Sequence, residues 1–432
     1  MTTSRIKGLM AVCVIAVALS GCDELLTVSD PQRYTASDLD NALPAVANGV
    51  EGASHGPVEA FVIYNALLAD EYQHTGTWSG YDEVDHGRFQ YGTSPMDGSQ
   101  NAWLRAQWFA TDAEERFKRV MGDAEAASSP LTAQVRLAGA MSDLYLGQTY
   151  CEAVGEASGP VMTDAQMLQQ AVTKFTATIQ TAQSAGRADY AMAALAGRAQ
   201  AKLMMGDVAG AAADAAGVPA GFSYDAVYNQ QNNNWVVLVT TKTFNEAAGL
   251  MHKWWPLIEK KDEPGYMMDP LSGMPDMRIP VYFDGEVATD NETPHYSQWK
   301  YNNLTDDIPM VHSDGMRLIE AEALALSGNF AGATAVLNQL RAAVGLPGHE
   351  VPTSPEMMAG IVLWERFAEH FMEGYRALDL HRYGLTRQIF DELNDPERPG
   401  SGRPTKFSLS DTEALYNDNV ENELTQRCLP KS

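Results

Sequence analysis

The chain has 432 residues, 45% of them apolar, and its 56 acidic against 30 basic residues give a formal net charge of −26. That length can bury a large core or two, and a surface so acidic excludes DNA, RNA and other polyanions, whose binding needs clustered Lys and Arg. A neutral ligand fits the charge balance better.

Arg5 and Lys7 precede an apolar run over 8–19, too short to cross about 30 Å of hydrocarbon as a mature helix. It reads as a secretory signal. Leu19-Ser20-Gly21-Cys22 then matches the bacterial lipobox, in which cleavage leaves a diacylated cysteine at the new N-terminus. Residues 1–21 are therefore expected to be removed as a lipoprotein signal peptide, with 22–35 as anchor and leash and Cys22 as the lipidation site. Each buried methylene of the acyl chains adds about 0.8 kcal/mol, so multiple chains tether the protein to a membrane without spanning it. With Cys13 removed and Cys22 acylated, Cys151 and Cys428 remain, either as a disulfide or as two separate thiols.

Beyond the leash, apolar residues return at three and four over 40–50, 58–72, 101–120, 131–151, 165–182, 190–205 and 208–216, predicting helices. The stretches "GDVAGAAADA" (206–215) and "GNFAGATAVL" (328–337) share five residues at matching offsets. Each resembles a tetratricopeptide hairpin, with Gly206 or Gly328 ending one helix and Ala211 or Ala333 admitting close approach of the next. They lie too far apart for that motif's period of about 34, so other material is inserted between them. Residues 221–312 are rich in Asn, Pro, Met, Trp and Tyr, and only 234–244 and 278–283 predict short strands. Long ordered loops of this kind usually serve a site. Helices are predicted again over 315–326, 331–344 and 355–380.

The last third carries the most distinctive pattern: Ala321-Glu322-Ala323-Leu324, Gly328-Asn329, Leu337-Asn338 with Arg341, Glu365-Arg366, Glu373-Gly374 with Arg376, Asp379-Leu380, and Arg382 with Gly384. This combination resembles the SusD/RagB family of outer-membrane nutrient-binding lipoproteins. Looser similarity extends to 66–76, 144–154 and 275–283. The chain departs from the family pattern at Gln148-Thr149-Tyr150-Cys151, where a Phe-Gly-Asp turn is usual, and at His370, where an aliphatic residue is common. The resemblance implies a mainly α, SusD-like fold with tetratricopeptide-like hairpins and a loop-rich insertion holding a few short strands. It divides a single domain, 36–432, into a helical part with one hairpin (36–220), a ligand-region insertion (221–312), a second hairpin with the signature helix (313–384) and a tail (385–432).

What the resemblance implies functionally is capture of an oligomeric nutrient, a glycan above all, and its delivery to a TonB-dependent, SusC/RagA-like transporter at the outer membrane. Asp23 and Glu24 beside the anchor fit export to the cell surface. Two alternatives stay open: capture of a peptide or other nutrient on the same fold, and a tetratricopeptide-type scaffold for a protein partner.

Along 355–380, Ile361, Trp364, Phe367, Phe371, Tyr375 and Leu378 form an apolar stripe, which leaves Glu365, Arg366, Glu369, Glu373 and Arg376 for other faces. There, i,i+3 ion pairs at a surface would each contribute about 0.2–0.5 kcal/mol. Gly374 costs about 1 kcal/mol against Ala inside a helix, so a close backbone approach is expected at that point.

No nucleophile elbow, phosphate loop, His-x-x-x-His or zinc-type cysteine spacing occurs. Neither enzymatic activity nor a cofactor is expected. Ca²⁺ stays open, because Asp82, Glu83 and Asp85 lack a recognisable loop spacing. "DEYQHTG" (70–76) reads as a helix C-terminus with His74 near the dipole and Gly76 as the stop. Binding falls to aromatics in loops: Trp78 and Tyr81 in "TGTWSGYDE", and Tyr296, Trp299 and Tyr301 in the insertion. Flat rings pack against sugar faces while Asn and Asp read hydroxyls. Trp254 and Trp255 read as staples that hold the loops.

Overall fold

Short polar side chains set where the helices begin. In the computed structural model, which describes residues 35–88, 94–155, 159–241, 246–283 and 285–420, Thr35, Ser129, Thr163, Asn234, Ser354 and Ser410 each accept a first-turn backbone N–H. Those are donors that a helix start otherwise leaves open. The signal peptide, Cys22 with its leash to residue 34, and Cys428 lie outside the described residues. Cys151 is disulfide-bonded.

A short first unit ends at Ala45 and a second begins at Val46. In the first, α1 (Ala36–Asp40) is closed by a Thr35–Asp38 capping box, and α2 (Leu43–His55) starts near its end. In the second, α3 (Val58–Leu68), α4 (Ser79–Asp85), α5 (Ser94–Met121), α6 (Asp123–Ala126), α7 (Pro130–Thr149), α8 (Asp164–Ser184), α9 (Ala188–Met204) and α10 (Val208–Ala215) come first. The insertion carries α11 (Trp235–Thr240), and the chain ends with α12 (Ser313–Leu326), α13 (Phe330–Ala343), α14 (Pro355–Glu369), α15 (Arg376–Arg382), α16 (Thr386–Leu393) and α17 (Asp411–Tyr416). Successive packing of α5 on α7, α7 on α8, α8 on α9, α9 on α10, α10 on α12 and α12 on α13 makes a continuous helical layer. No helix among the described residues is long and apolar enough to cross a membrane.

Short antiparallel strands fasten the loops. β1 (Tyr72–His74) pairs with β5 (Ala248–Leu250), β2 (Glu152–Val154) with β3 (Val161–Thr163), and β4 (Ser223–Ala226) with β9 (Ile308–His312). β6 (Gly265–Met268), β7 (Pro275–Tyr282) and β8 (Ser297–Gln298) form a three-stranded sheet that contains the predicted 278–283 strand.

The two hairpin copies are physical as well as textual. Gly206 and Gly328 both have φ of +81°, the left-handed conformation that ends a helix. The next residue, Asp207 or Asn329, accepts the N–H of Gly210 or Gly332 at 3.0 Å. A Cβ on either of those glycines would collide with the capping side chain. Ala211 and Ala333 are fully buried, as close helix packing requires.

Three predicted elements differ from the structure. The 58–72 helix stops at Leu68, and 72–74 is a strand, because Asp70 and Glu71 find buried partners that a continuing helix would not offer: Arg376 and Lys253 for Asp70, the Met372 N–H for Glu71. His74 consequently lies in a strand, its N–H donating to Asp85. The 234–244 strand is the helix α11 over its described part, since a short run of buried Val fits either state and the Asn234 cap selects helix. Residues 242–245 lie outside the described ones.

The 355–380 helix breaks after Glu369, where Met372 (φ +56°) and Gly374 (φ +80°) turn the chain into α15. The close approach expected at Gly374 is real: a Cβ there would sit 2.6 Å from the Phe61 ring and 3.1 Å from its carbonyl oxygen.

The signature charges are buried, which corrects their expected placement on a surface. Glu365 accepts from Arg341 (2.7 Å) and Arg278 (2.8 Å), Arg366 donates to Asp379 (2.8 Å), and Arg382 donates to Glu322 (2.6 Å). In this setting, losing one partner of a pair costs about 3–5 kcal/mol, far above the value of a surface pair. Trp254 and Trp255 staple the insertion as expected. Trp254 stacks on Phe367 at 4.7 Å and donates to the Asp70 carbonyl at 2.6 Å, and Trp255 stacks on Tyr296 at 4.9 Å.

Candidate ligand-binding site

A cleft of about 800 Å³ opens between α2, α3, α5 and the 227–232 loop. Its walls are lined by small residues, among them Gly52, Ala53, Ala60, Gly98 and Ala102. A Cβ on Gly52 or Gly98 would meet no atom within 4 Å. Glycine at a helical position costs up to about 1 kcal/mol against alanine, and here no close contact requires it. What the small residues leave is room.

Trp235 stands at the rim, 41% exposed, as the first residue of α11. Three contacts fix it. Its backbone N–H donates to Glu59 Oε2 at 2.6 Å, its indole Nε1 donates to Tyr81 Oη at 3.2 Å, and its ring stacks with Trp78, centroids 6.2 Å apart and planes at 23°. Trp78 is 36% exposed and directly precedes α4. Tyr81 meets Trp78 and Tyr64 edge-on, at 5.2 and 5.7 Å.

Polar groups share the cleft lining with Trp235. Asn229 and Asn232 line the cleft, and the Asn229 side-chain oxygen accepts the N–H groups of Gln231 and Asn232 at 2.9 and 3.1 Å, so its amide nitrogen is the end left for another group. Burial pushes the Glu59 carboxyl up to about 7 against the opposing effect of the Trp235 N–H, so near neutrality it is poised between donor and acceptor. Arg105 adds a cation to the lining. Such a surface can hold a flat molecule with one apolar face and hydroxyls along its edge.

The five aromatics predicted as ligand contacts separate. Trp78 does not line the cleft itself but stacks on Trp235, which does. Tyr81 is buried and supports Trp235 from beneath. Tyr296 is buried in a stack between Trp255 and Phe283, and Tyr301 lies in the core. Trp299 is half-buried, tilted over Tyr282 at 5.6 Å with its backbone N–H donating to the Pro280 carbonyl, and is not part of the cleft lining. Trp235 was missed because its stretch read as a strand. The signal available was the run of polar amides at 229–234 ending directly on a tryptophan. Of the acids weighed for Ca²⁺, Asp85 is fully buried and engaged by Arg398.

Residues 297–426 match the family model described as the SusD family. No curated protein matches the chain in sequence. Among solved structures, a SusD superfamily protein from Bacteroides thetaiotaomicron VPI-5482 superposes with a TM-score of 0.64 at 14% identity, over 91% of this chain and 99% of that one. A SusD-like carbohydrate binding protein from Bacteroides fragilis NCTC 9343 gives 0.62 at 16% identity, over 85% and 86%. A laminarin binding SusD-like protein gives 0.62 at 14%, over 87% and 98%. At these identities the structural likeness establishes the fold, while the sequence match contains the buried charge pattern from Glu322 to Arg382. The last third of the chain thus matches the SusD family model, and the chain as a whole has the fold of the SusD-like proteins.

Proposed function

We propose that the chain captures a neutral oligosaccharide in the cleft beside the stacked Trp78 and Trp235, without converting it, and passes it to a TonB-dependent outer-membrane transporter while tethered at the cell surface through Cys22. The observation that carries this reading is the pair of stacked, exposed indoles beside a cleft whose glycines leave space that no protein atom fills. Sugar rings present apolar C–H faces to such indoles and hydroxyls to amides and carboxyls, and the strongly acidic surface favours an uncharged ligand. The names of the similar solved structures, carbohydrate binding and laminarin binding, point the same way.

Calorimetric titration of the purified chain with a panel of neutral oligosaccharides, laminarin fragments included, tests the capture step. Saturable binding to one of them, lost in Trp78→Ala and Trp235→Ala, is the expected result. A folded chain that binds none of the panel but co-purifies with peptide overturns it. Isolation of the native chain from detergent-solubilised outer membrane tests the delivery step, with a TonB-dependent transporter as the expected companion.

A further inference from the structure

A second group of side chains converges away from the cleft lining, where β9 runs into α12 and the 370–375 turn follows α14. His312 Nε2, His370 Nδ1 and Glu373 Oε2 lie 3.1, 2.8 and 3.4 Å apart, in the order His312–Glu373, His370–Glu373 and His312–His370. Donors bound tetrahedrally to Zn²⁺ at about 2.0–2.1 Å stand about 3.3 Å from one another, so this triangle is close to the face of such a site. A second group shares His312: with Asp314 and Glu369 its donor atoms lie within 4.8 Å of one another.

The three ligating atoms are held from behind. Glu373 Oε1 accepts from Lys300 Nζ at 2.7 Å, which turns Oε2 toward both histidines. The His370 ring is buried against Gly315, where a Cβ would come within 2.8 Å of it. The turn carrying His370 and Glu373 is pinned by the Met372 N–H on Glu71 at 2.7 Å. Charge runs in the same direction. Glu373 is paired with Lys300, Glu369 reaches at 3.5 Å an Arg278 already engaged by Asp276 and Glu365, and Asp314 adds a third carboxylate beside His312, so three acids meet two cations of which one is shared. Coordination through His312 Nε2 places that ring's proton on Nδ1 and gives up one long contact, the Gly315 N–H at 3.3 Å.

We propose that His312, His370 and Glu373, with Glu369 or Asp314 closing the shell, bind one divalent transition-metal ion of the zinc class, which clamps the start of α12 to the 370–375 turn. Two neutral imidazoles and one carboxylate are a donor set that suits Zn²⁺ and not Ca²⁺ or Mg²⁺, which take oxygen ligands.

The test uses the full chain, untagged, stripped with chelator and verified as folded by circular dichroism, and titrated with Co²⁺ and then Zn²⁺. One equivalent of Co²⁺ should bind with the visible absorption of a tetrahedral site, Zn²⁺ should displace it, and Zn²⁺ should raise the Tm, since an ion that binds only the folded chain stabilises it. His312→Gln and His370→Leu should each weaken binding about tenfold or more and abolish the Tm rise. Should His370→Leu not fold, His312→Gln, at a ring with 15% exposure, still decides the matter. Absence of stoichiometric binding in the folded chain, or binding undiminished in folded His312→Gln, overturns the proposal and leaves these atoms as a hydrogen-bonded charge network.

Discussion

Trp78 and Trp235 come from separate segments of the chain and stack with their planes 23° apart, each with more than a third of its surface open. Removing either ring leaves its neighbour without a stacking partner and, on the proposed function, takes away a ligand contact. Trp78→Ala and Trp235→Ala should each lower oligosaccharide affinity about tenfold or more, equivalent to about 1.4 kcal/mol. The double variant should lose less than the sum, because the rings touch. Trp299→Ala, on a residue outside the cleft lining, should bind like the parent in calorimetric titration. An unchanged Kd in both single variants would remove the indole pair from the site.

Filling the cleft is a complementary test. Side chains added at Gly52 and Gly98 would project into open space, so Gly52→Leu/Gly98→Leu should fold with little change in Tm while binding is abolished. Gly49 is the control. It sits on α2 as well, a Cβ there also meets nothing within 4 Å, but it does not line the cleft, and Gly49→Leu should bind normally. Equal binding by the filled-cleft variant would place the ligand elsewhere.

How much of this was legible in the sequence depended on whether the cause was local. Helix period, the glycine stops at Gly206 and Gly328 and the repeated hairpin are decided by residues within a few positions of one another, and they stand where the pattern put them. The stop at Leu68 and the turn at 370–375 are decided by partners far along the chain, Arg376 for Asp70 and Phe61 for Gly374. No window of sequence displays those contacts. The site followed the same rule. Trp78 stood out as an aromatic without a core face, whereas Trp235 needed α11 to turn its ring outward and Glu59, from α3, to hold its N–H. Tyr296 and Tyr301 matched Trp78 in composition but were taken into the core by neighbours that only the fold supplies.

Gly374 makes a stability prediction. Its left-handed backbone disfavours any side chain, and a Cβ would press into the Phe61 ring at 2.6 Å. Strain of about 1 kcal/mol or more adds to overpacking of about 1–3 kcal/mol. Gly374→Ala should therefore lose roughly 3 kcal/mol in urea denaturation. Loss below about 1 kcal/mol would mean that Phe61 can move aside and that the turn is not tightly determined.

Glu71 gives the pH dependence. Its carboxyl is buried, Oε1 accepts the Met372 N–H, and Oε2 has no hydrogen-bond partner among the described residues. Burial pushes it up to about 7 from an ordinary 4.5. The folded chain thus holds this proton more tightly than the unfolded chain does. The resulting stabilisation is complete below pH 4.5 and is lost as pH rises through 7. Glu71→Gln keeps the shape of the protonated group and cannot ionise. Parent and variant should be nearly equal in stability at pH 5, and the variant should be the more stable at pH 8, by up to roughly 3 kcal/mol. Glu59, shifted the same way, leaves a residual slope in both chains, so the quantity to read is the difference between their denaturation midpoints at the two pH values. A difference that does not grow between pH 5 and pH 8 would show that Glu71 is ionised in the folded chain and that the 370–375 turn is held by a carboxylate.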